Sequence, residues 1–94
     1  MASDTNQQIV TFTIMNELGL HARPAMLLVQ AISRLKYEVL IERDGLEVDA
    51  KSIMGVLTLA AERGSKIKVT ATGEEAGKAI DAIGKLIEEK FGED

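Results

Sequence analysis

The sequence predicts an α+β fold, an open-faced sandwich in which helices cover one side of a four-stranded antiparallel sheet. Four segments alternate between apolar and polar residues, as half-buried strands do. Three other segments show helical spacing instead, and the predicted order is β-α-β-β-α-β-α. A strand with one apolar face must bury that face, and two long amphipathic helices can supply the cover.

The four predicted strands are defined by their alternation and by the turns between them. Their ranges are Ile9–Met15, Tyr37–Arg43, Leu46–Ala50 and Lys66–Thr72. The apolar positions expected to face the core are Val10, Phe12, Ile14, Tyr37, Val39, Ile41, Ile67, Val69 and Ala71. Asp44-Gly45 is a strong hairpin signal, because both residue types tolerate the positive φ of a tight turn. The second and third strands are therefore expected to form a hairpin.

The predicted helices run from Ala22 to about Lys36, from Ser52 to about Glu62, and from Glu74 to Phe91. Pro24 fits the first turn of the first helix, where its missing N–H costs nothing, and this places His21 at or next to the N-cap. Ser52 is expected to cap the second helix and Gly64 to end it. After the third helix, Gly92–Asp94 is expected to fray.

The composition describes one globular domain. Of the 94 residues, 46% are apolar and 28% are charged, which is too apolar for a disordered chain. We expect residues 9–94 to form this domain and residues 1–8 to be a disordered leader. The chain has no cysteine and one histidine, which excludes a disulfide, a thiolate zinc site and a metal site with two imidazoles from one chain. We expect no cofactor.

Charge and hydropathy argue against nucleic acids and membranes as binding partners. The formal net charge is −4, with one Tyr, two Phe and no Trp, whereas nucleic-acid binding needs basic patches and stacking platforms. No apolar run is long enough to span a bilayer, and the polar start has no secretory pattern. We therefore expect a cytoplasmic protein that inserts into no membrane, and the acidic surface favours a monomer.

The segment Gly19–Ala25 could carry chemistry. His21 is predicted where a helix begins, so that unpaired N–H groups of the first turn would attract an anion beside it. Arg23 lies in the same turn and can reach that anion. The positive helix end and Arg23 both disfavour the imidazolium, and a neutral imidazole nitrogen is a nucleophile. A lone histidine at a helix start is more often a surface residue or a partial cap, so local physics leaves both interpretations open.

The predicted second helix has apolar residues on more than one face. Val56, Leu59 and Ala60 suffice for the core, which would leave three residues partly exposed, namely Ile53, Met54 and Leu57. Exposed apolar side chains, Met especially, suit a surface that docks several partners, although a fully buried helix explains the pattern equally well. Ser52 is either an N-cap or a phosphorylation site whose added charge would act on partner binding.

Two motifs resemble those of a known family. They are Leu20-His21-Ala22-Arg23-Pro24-Ala25 and Lys51-Ser52-Ile53-Met54-Gly55-Val56. Their sequences, separation and element order are similar to the histidine-containing phosphocarrier (HPr) family of the bacterial phosphoenolpyruvate-dependent sugar phosphotransferase system. The resemblance covers Ile9 to Phe91, nearly the whole chain.

The resemblance implies a carrier rather than an enzyme. His21 would accept a phosphoryl group on Nδ1 from phosphorylated enzyme I and pass it to a histidine of an enzyme IIA domain. Arg23 would steady the phosphate, and Ser52 would match the regulatory serine that an ATP-dependent HPr kinase modifies in many relatives. The docking surface for these partners would consist of Ala22, Met26, Ile53, Met54 and Leu57.

One position departs from familiar members of the family. Many relatives carry Ser or Asn three residues before the histidine, and this chain has Leu18. Backbone N–H groups and Arg23, with Asn16, would then have to hold the anion. Carriers of a nitrogen-related branch share this Asn-x-Leu-Gly-Leu-His pattern. Two further alternatives stay open: a mainly regulatory cofactor modified at Ser52, and an interaction module in which His21 is inert.

Overall fold

The computed structural model describes residues 7–93 and has the predicted open-faced sandwich architecture. Its elements are β1 (Gln7–Thr13), α1 (Ala22–Ile32), β2 (Val39–Arg43), β3 (Leu46–Asp49), α2 (Ile53–Thr58), β4 (Lys66–Thr72) and α3 (Ala76–Glu88), followed by a 3-10 turn over Lys90–Gly92. The strands form one antiparallel sheet in the order β1-β4-β2-β3, which confirms the predicted fold class. Within residues 7–93, no helix combines the length and the apolar character needed to cross a membrane.

The β2–β3 hairpin follows the turn signal in the sequence. Asp44 and Gly45 have φ angles of 50° and 88°, and Arg43 lies opposite Leu46 across the turn. A two-residue loop with positive φ at both positions matches the natural twist of the two strands. The predicted hairpin is therefore confirmed.

β1 begins two residues earlier than predicted. Gln7 and Gln8 lie opposite Thr72 and Ala71 of β4, so these two residues belong to the sheet and not to a disordered leader. In the sheet, the backbone N–H and C=O groups of these residues find hydrogen-bond partners in β4, whereas in a disordered leader they would bond to water. The rest of the predicted leader, residues 1–6, lies outside the described residues.

The core lies between the inner face of the sheet and the long helices α1 and α3. The sheet and its connections contribute Ile14, Val39, Ile41, Ile67, Val69 and Ala71. The two helices contribute Ala25, Leu28, Ile32, Ala76, Ala79, Ile80, Ile83 and Ile87. Val10 and Phe12 point to the same side but are only half-buried, because β1 is an edge strand with cover on one flank.

Tyr37 does not share the core face that was predicted for it. It precedes β2, and its side chain is 40% exposed. Its ring lies so close to Gly73 that a Cβ on Gly73 would be 2.3 Å from a ring carbon. Only glycine leaves room for this approach. The Tyr37 ring therefore packs on the turn that leads into α3 and does not point into the core.

α2 ends at Thr58, earlier than predicted, and the carbonyl groups that directly follow it accept hydrogen bonds from outside the helix. Arg43 of β2 donates from Nη1 to the carbonyl oxygens of Leu59 and Ala60, at 3.0 and 3.2 Å. Ala60 has a φ of 49°, a conformation that ends the helical path. Leu59 is buried as predicted, whereas Ala60 is exposed and Ala61 takes its place in the core.

α1 and α3 also end earlier than predicted. After α1 the Leu35 amide donates to the Ile32 carbonyl three residues back, which tightens the chain into a turn. After α3, Lys90 and Phe91 both have a φ of 55°, outside the helical range. This conformation directs Phe91 into the core, where it is 1% exposed.

The turn after α3 overturns the prediction that the chain frays from Gly92 onward. Gly92 belongs to the 3-10 turn, and its amide donates to the Glu89 carbonyl at 3.0 Å. Because Phe91 is anchored in the core, the next residues are brought back over the start of α1. Glu93 lies there, with its side chain only 16% exposed. Asp94 lies outside the described residues.

Candidate functional site

His21 is the N-cap residue of α1, as predicted. Its backbone is extended, with φ −84° and ψ −170°, and its side chain makes no capping hydrogen bond to the helix. The first turn is closed instead by the backbone, where the Ala25 amide donates to the His21 carbonyl at 3.0 Å. The imidazole, 38% exposed, is therefore free to make contacts outside the helix.

The start of α1 offers backbone donors beside the imidazole. The first N–H groups of an α-helix have no acceptor within it, so those of Ala22 and Arg23 lie at the positive end of the helix dipole. Pro24, the third residue of the helix, has no N–H and is buried. The Arg23 side chain is exposed and lines an open depression together with Glu17, Leu18, Gly92 and Glu93.

The loop that carries His21 is attached to the segment after α2. The Leu20 amide donates to the Ala61 carbonyl at 2.8 Å. Gly19 has a φ of 69°, and a Cβ there would lie 2.3 Å from the Ala61 carbonyl oxygen. A side chain at position 19 would therefore push the loop away. The contact with Ala61 is the physical reason why position 19 is occupied by glycine.

Glu93 is the site residue that sequence reasoning missed. Its Oε2 lies 2.7 Å from Nε2 of His21, and its Oε1 accepts a hydrogen bond of 2.9 Å from Nδ2 of Asn16. His21 and Glu93 are 72 positions apart, so no local pattern links them. The available signal was Phe91, a large apolar residue near the end of the chain. Such a residue requires a buried position, and burying it brings the residues that follow back toward the rest of the domain.

The environment of Glu93 favours its ionised form. The hydrogen bond from the Asn16 side chain lowers the pKa of Glu93 most, and His21 and Arg23 lower it further, against an opposing effect of burial. The carboxylate is therefore ionised at neutral pH. It gives the site a fixed negative charge next to the positive helix end.

Asn16 is a buried residue that holds the His21 loop and Glu93 in position. It is fully buried, and its Nδ2 donates to the Gly19 carbonyl at 2.8 Å as well as to Glu93. Its side chain is thus occupied by the loop and by Glu93. The expectation that Asn16 would help to hold an anion gives way to a different role, since its donor group is already shared between two acceptors.

Four of the five residues predicted as a docking surface are exposed. Met54 is 72% exposed, Met26 42% and Ile53 39%, while Ala22 is exposed and Leu57 half-buried. Of α2 only Val56 is buried, so the alternative of a fully buried helix is wrong. His21, Leu57 and Ala60 line a second open depression, and Leu18, which is 71% exposed, lines it as well.

Ser52 is the N-cap of α2, as predicted. Its Oγ accepts a hydrogen bond from the Gly55 amide at 3.0 Å, which gives one first-turn donor a partner. The residue before it, Lys51, donates from Nζ to the Leu35 carbonyl after α1. The start of α2 is thereby joined to the end of α1. Within residues 7–93 there is no group of three or more His, Cys, Asp or Glu side chains that could hold a metal ion.

Comparisons with known proteins identify one family. Residues 9–89 match the family model described as PTS HPr component phosphorylation site. The chain is 42% identical over 86 residues to the phosphocarrier protein HPr of Treponema pallidum, covering 92% of this chain and 98% of that protein. It superimposes on the HPr-C-His crystal structure from Thermoanaerobacter tengcongensis with a TM-score of 0.88 at 45% identity, covering 93% and 98% of the two chains.

A further crystal structure from Thermoanaerobacter tengcongensis is that of an HPr dimer. It is similar to this chain with a TM-score of 0.73 at 46% identity, covering 89% of this chain and 97% of that one.

Replacing Gly19 by Ala is expected to destabilise the fold more than the same change at Gly45. Both glycines have positive φ, but a Cβ at position 45 meets no atom within 4 Å, whereas at position 19 it meets the Ala61 carbonyl. We expect about 1–2 kcal/mol for Gly45→Ala, from backbone conformation alone. Gly19→Ala should cost about 1–3 kcal/mol more, from overpacking. Urea unfolding of both variants measures the difference, and equal losses would contradict the close contact.

Replacing Glu93 by Gln is expected to lower the melting temperature at neutral pH and to leave it unchanged in acid. Hydrogen bonds from Asn16 and His21 lower the pKa of Glu93 from its ordinary value of 4.5, so the folded chain is stabilised by the ionised carboxylate. This stabilisation is complete above the unfolded pKa and is lost as the pH falls through the lower folded pKa.

Melting curves of wild type and Glu93→Gln, recorded from about pH 7 down to about pH 2, test this pH dependence. Glu88→Gln, which removes the same charge from an exposed position on α3, is the matched control. A difference between wild type and Glu93→Gln that stays constant over the whole range would contradict the prediction.

Proposed function

This chain belongs to the HPr family of phosphocarrier proteins of the phosphotransferase system, and we propose that His21 is the residue that carries the phosphoryl group. It accepts the group on Nδ1 from phosphorylated enzyme I and passes it to a histidine of an enzyme IIA domain. The observation that carries the proposal is the position of His21, a half-exposed imidazole at the start of α1 that makes no capping bond.

The chemistry follows from that position. The Nδ1 lone pair attacks phosphorus. The bond between phosphorus and the donor atom of enzyme I breaks, and its electron pair stays on that donor atom. The transferred group is a dianion, which the N–H groups of Ala22 and Arg23 and the guanidinium of Arg23 stabilise through hydrogen bonds and charge. On transfer to enzyme IIA, the bond between Nδ1 and phosphorus breaks in the same way.

The docking surface of Ala22, Met26, Ile53, Met54 and Leu57 supports the binding of both partners in turn. Four of these residues are exposed on α1 and α2, and the fifth, Leu57, lines one open depression together with His21. Methionine side chains adapt to partners of different shape, which suits a carrier that meets a donor and an acceptor on the same surface. The carrier acts in the cytoplasm as a monomer.

Ser52 is the proposed site of regulation by an HPr kinase. A phosphate on its Oγ would add roughly −1.5 to −2 charges next to Ile53 and Met54, where partners dock. The neutral N-cap bond to Gly55 would be replaced by a charged one at a helix start, where a negative charge is tolerated. The effect would therefore fall on partner binding more than on folding.

A second candidate is a carrier of the nitrogen-related branch of the same system. Leu18, in the pattern Asn16-Glu17-Leu18-Gly19-Leu20-His21, favours it, and the exposed Leu18 side chain lies next to the site where an acceptor would dock. Rates of transfer from the phosphorylated chain to enzyme IIA domains of the sugar and nitrogen branches distinguish the two.

Incubation with enzyme I and labelled phosphoenolpyruvate should place an acid-labile label on the wild type and none on His21→Ala. His21 is the only histidine, so a phosphohistidine can form nowhere else. Arg23→Ala should accept the label about tenfold more slowly, because one charge-assisted hydrogen bond to phosphate is lost. Wild-type protein that stays unlabelled would refute the proposed function.

For Ser52, incubation with ATP and an HPr kinase should give an acid-stable label that is absent from Ser52→Ala. Loss of the N-cap should also cost Ser52→Ala about 1 kcal/mol of stability, measured by urea unfolding. Thr58→Ala, which removes a hydroxyl from the exposed end of the same helix, is the matched control and should keep the label. An acid-stable label that persists in Ser52→Ala would refute the assignment.

A further inference from the structure

We propose that Glu93 is a positioning residue that selects the tautomer of His21. Its carboxylate accepts a hydrogen bond from Nε2–H of the imidazole, which leaves Nδ1 of the neutral ring without a proton. The inference rests on the proposed function, because it matters only if Nδ1 is the atom that accepts the phosphoryl group.

The tautomer follows from the contact between Glu93 and His21. An ionised carboxylate is an acceptor only, so at 2.7 Å the imidazole Nε2 must be the donor. A neutral imidazole carries one N–H, and with that proton on Nε2 the other nitrogen keeps its lone pair. The carboxylate is ionised at neutral pH for the reasons given above, chiefly the hydrogen bond from Asn16.

Asn16 determines which oxygen of Glu93 faces His21. Its Nδ2 donates both to the Gly19 carbonyl at 2.8 Å and to Oε1 of Glu93 at 2.9 Å. The reversed amide would bring its oxygen against two acceptors, so the orientation of this buried side chain is fixed. Oε1 is thereby occupied, and Oε2 is left for the imidazole.

The same contact stabilises the product of phosphorylation. When Nδ1 forms its bond to phosphorus, the ring keeps the proton on Nε2 and becomes positively charged, and no proton leaves. Glu93 lies at Nε2, on the side of the ring away from Nδ1, where its charge compensates the imidazolium more than it repels the phosphoryl oxygens. When the group is passed on, the electron pair of the bond between nitrogen and phosphorus returns to Nδ1 and the original tautomer is restored.

Glu93→Gln separates positioning from a merely structural contact. Asn16 would continue to donate to the side-chain oxygen of Gln, which would turn the NH2 group of Gln toward Nε2 of His21. That group is a donor, so it favours the tautomer with the proton on Nδ1 and blocks the nucleophile. The analogous replacement of Asp by Asn beside the histidine of serine proteases produces the wrong tautomer. Glu93→Ala removes the bias without reversing it.

The tautomer is measured from the 15N chemical shifts of the His21 ring at about pH 8, where an ordinary imidazole is neutral. We expect the proton on Nε2 in the wild type, mainly on Nδ1 in Glu93→Gln, and neither form enforced in Glu93→Ala. The initial rate of phosphoryl transfer from enzyme I should be highest for the wild type, lower for Glu93→Ala and lowest for Glu93→Gln, which should be at least about tenfold slower than the wild type.

A wild-type ring with its proton on Nδ1 would overturn the inference, and so would a Glu93→Gln variant that keeps the wild-type tautomer and rate. A purely structural contact predicts that Gln and Ala slow the transfer equally. Failure of the proposed function has a different result: a wild-type chain that takes no label from enzyme I. The ring shifts are measured on the unphosphorylated chain and decide the tautomer in either case.

Discussion

The hydrogen bond from the Leu20 amide to the Ala61 carbonyl is the interaction on which the rest of the site depends. It joins the loop before α1 to the segment after α2, and Gly19 makes the approach possible because it has no side chain. The position of Ala61 depends in turn on Arg43, whose guanidinium donates hydrogen bonds to the carbonyl oxygens of Leu59 and Ala60. A strand of the sheet, the end of one helix and the start of another therefore hold His21 in place together.

The balance of charge at the site is also built from distant parts of the chain. The start of α1 and Arg23 supply positive charge that suits an anion, whereas Glu93 supplies a negative charge directly beside His21. These charges do not cancel, because they act on different atoms of the ring in the proposed mechanism. The acidic composition of the chain is thus compatible with an anion-binding site, since what matters is the local arrangement.

What the sequence could predict was decided by how local each signal is. The hairpin at Asp44-Gly45, the cap at Ser52 and the place of His21 at the start of α1 depend on neighbouring residues, and all three were predicted correctly. Glu93 could not be predicted, because its contact with His21 spans 72 positions and depends on how Phe91 packs. The early end of α2 was missed for the same reason, since Arg43 belongs to a strand that sequence periodicity treats separately.

The shortness of α2 bears on how long the proposed carrier would remain bound to its partners. With six residues, the helix is about 9 Å long and presents only Ile53, Met54 and Leu57 as apolar contacts from its exposed side. For the proposed docking surface, so small an apolar contribution from α2 suits brief encounters rather than permanent assemblies. A carrier has to leave its donor before it can meet its acceptor, and a small contact area shortens the residence time on each.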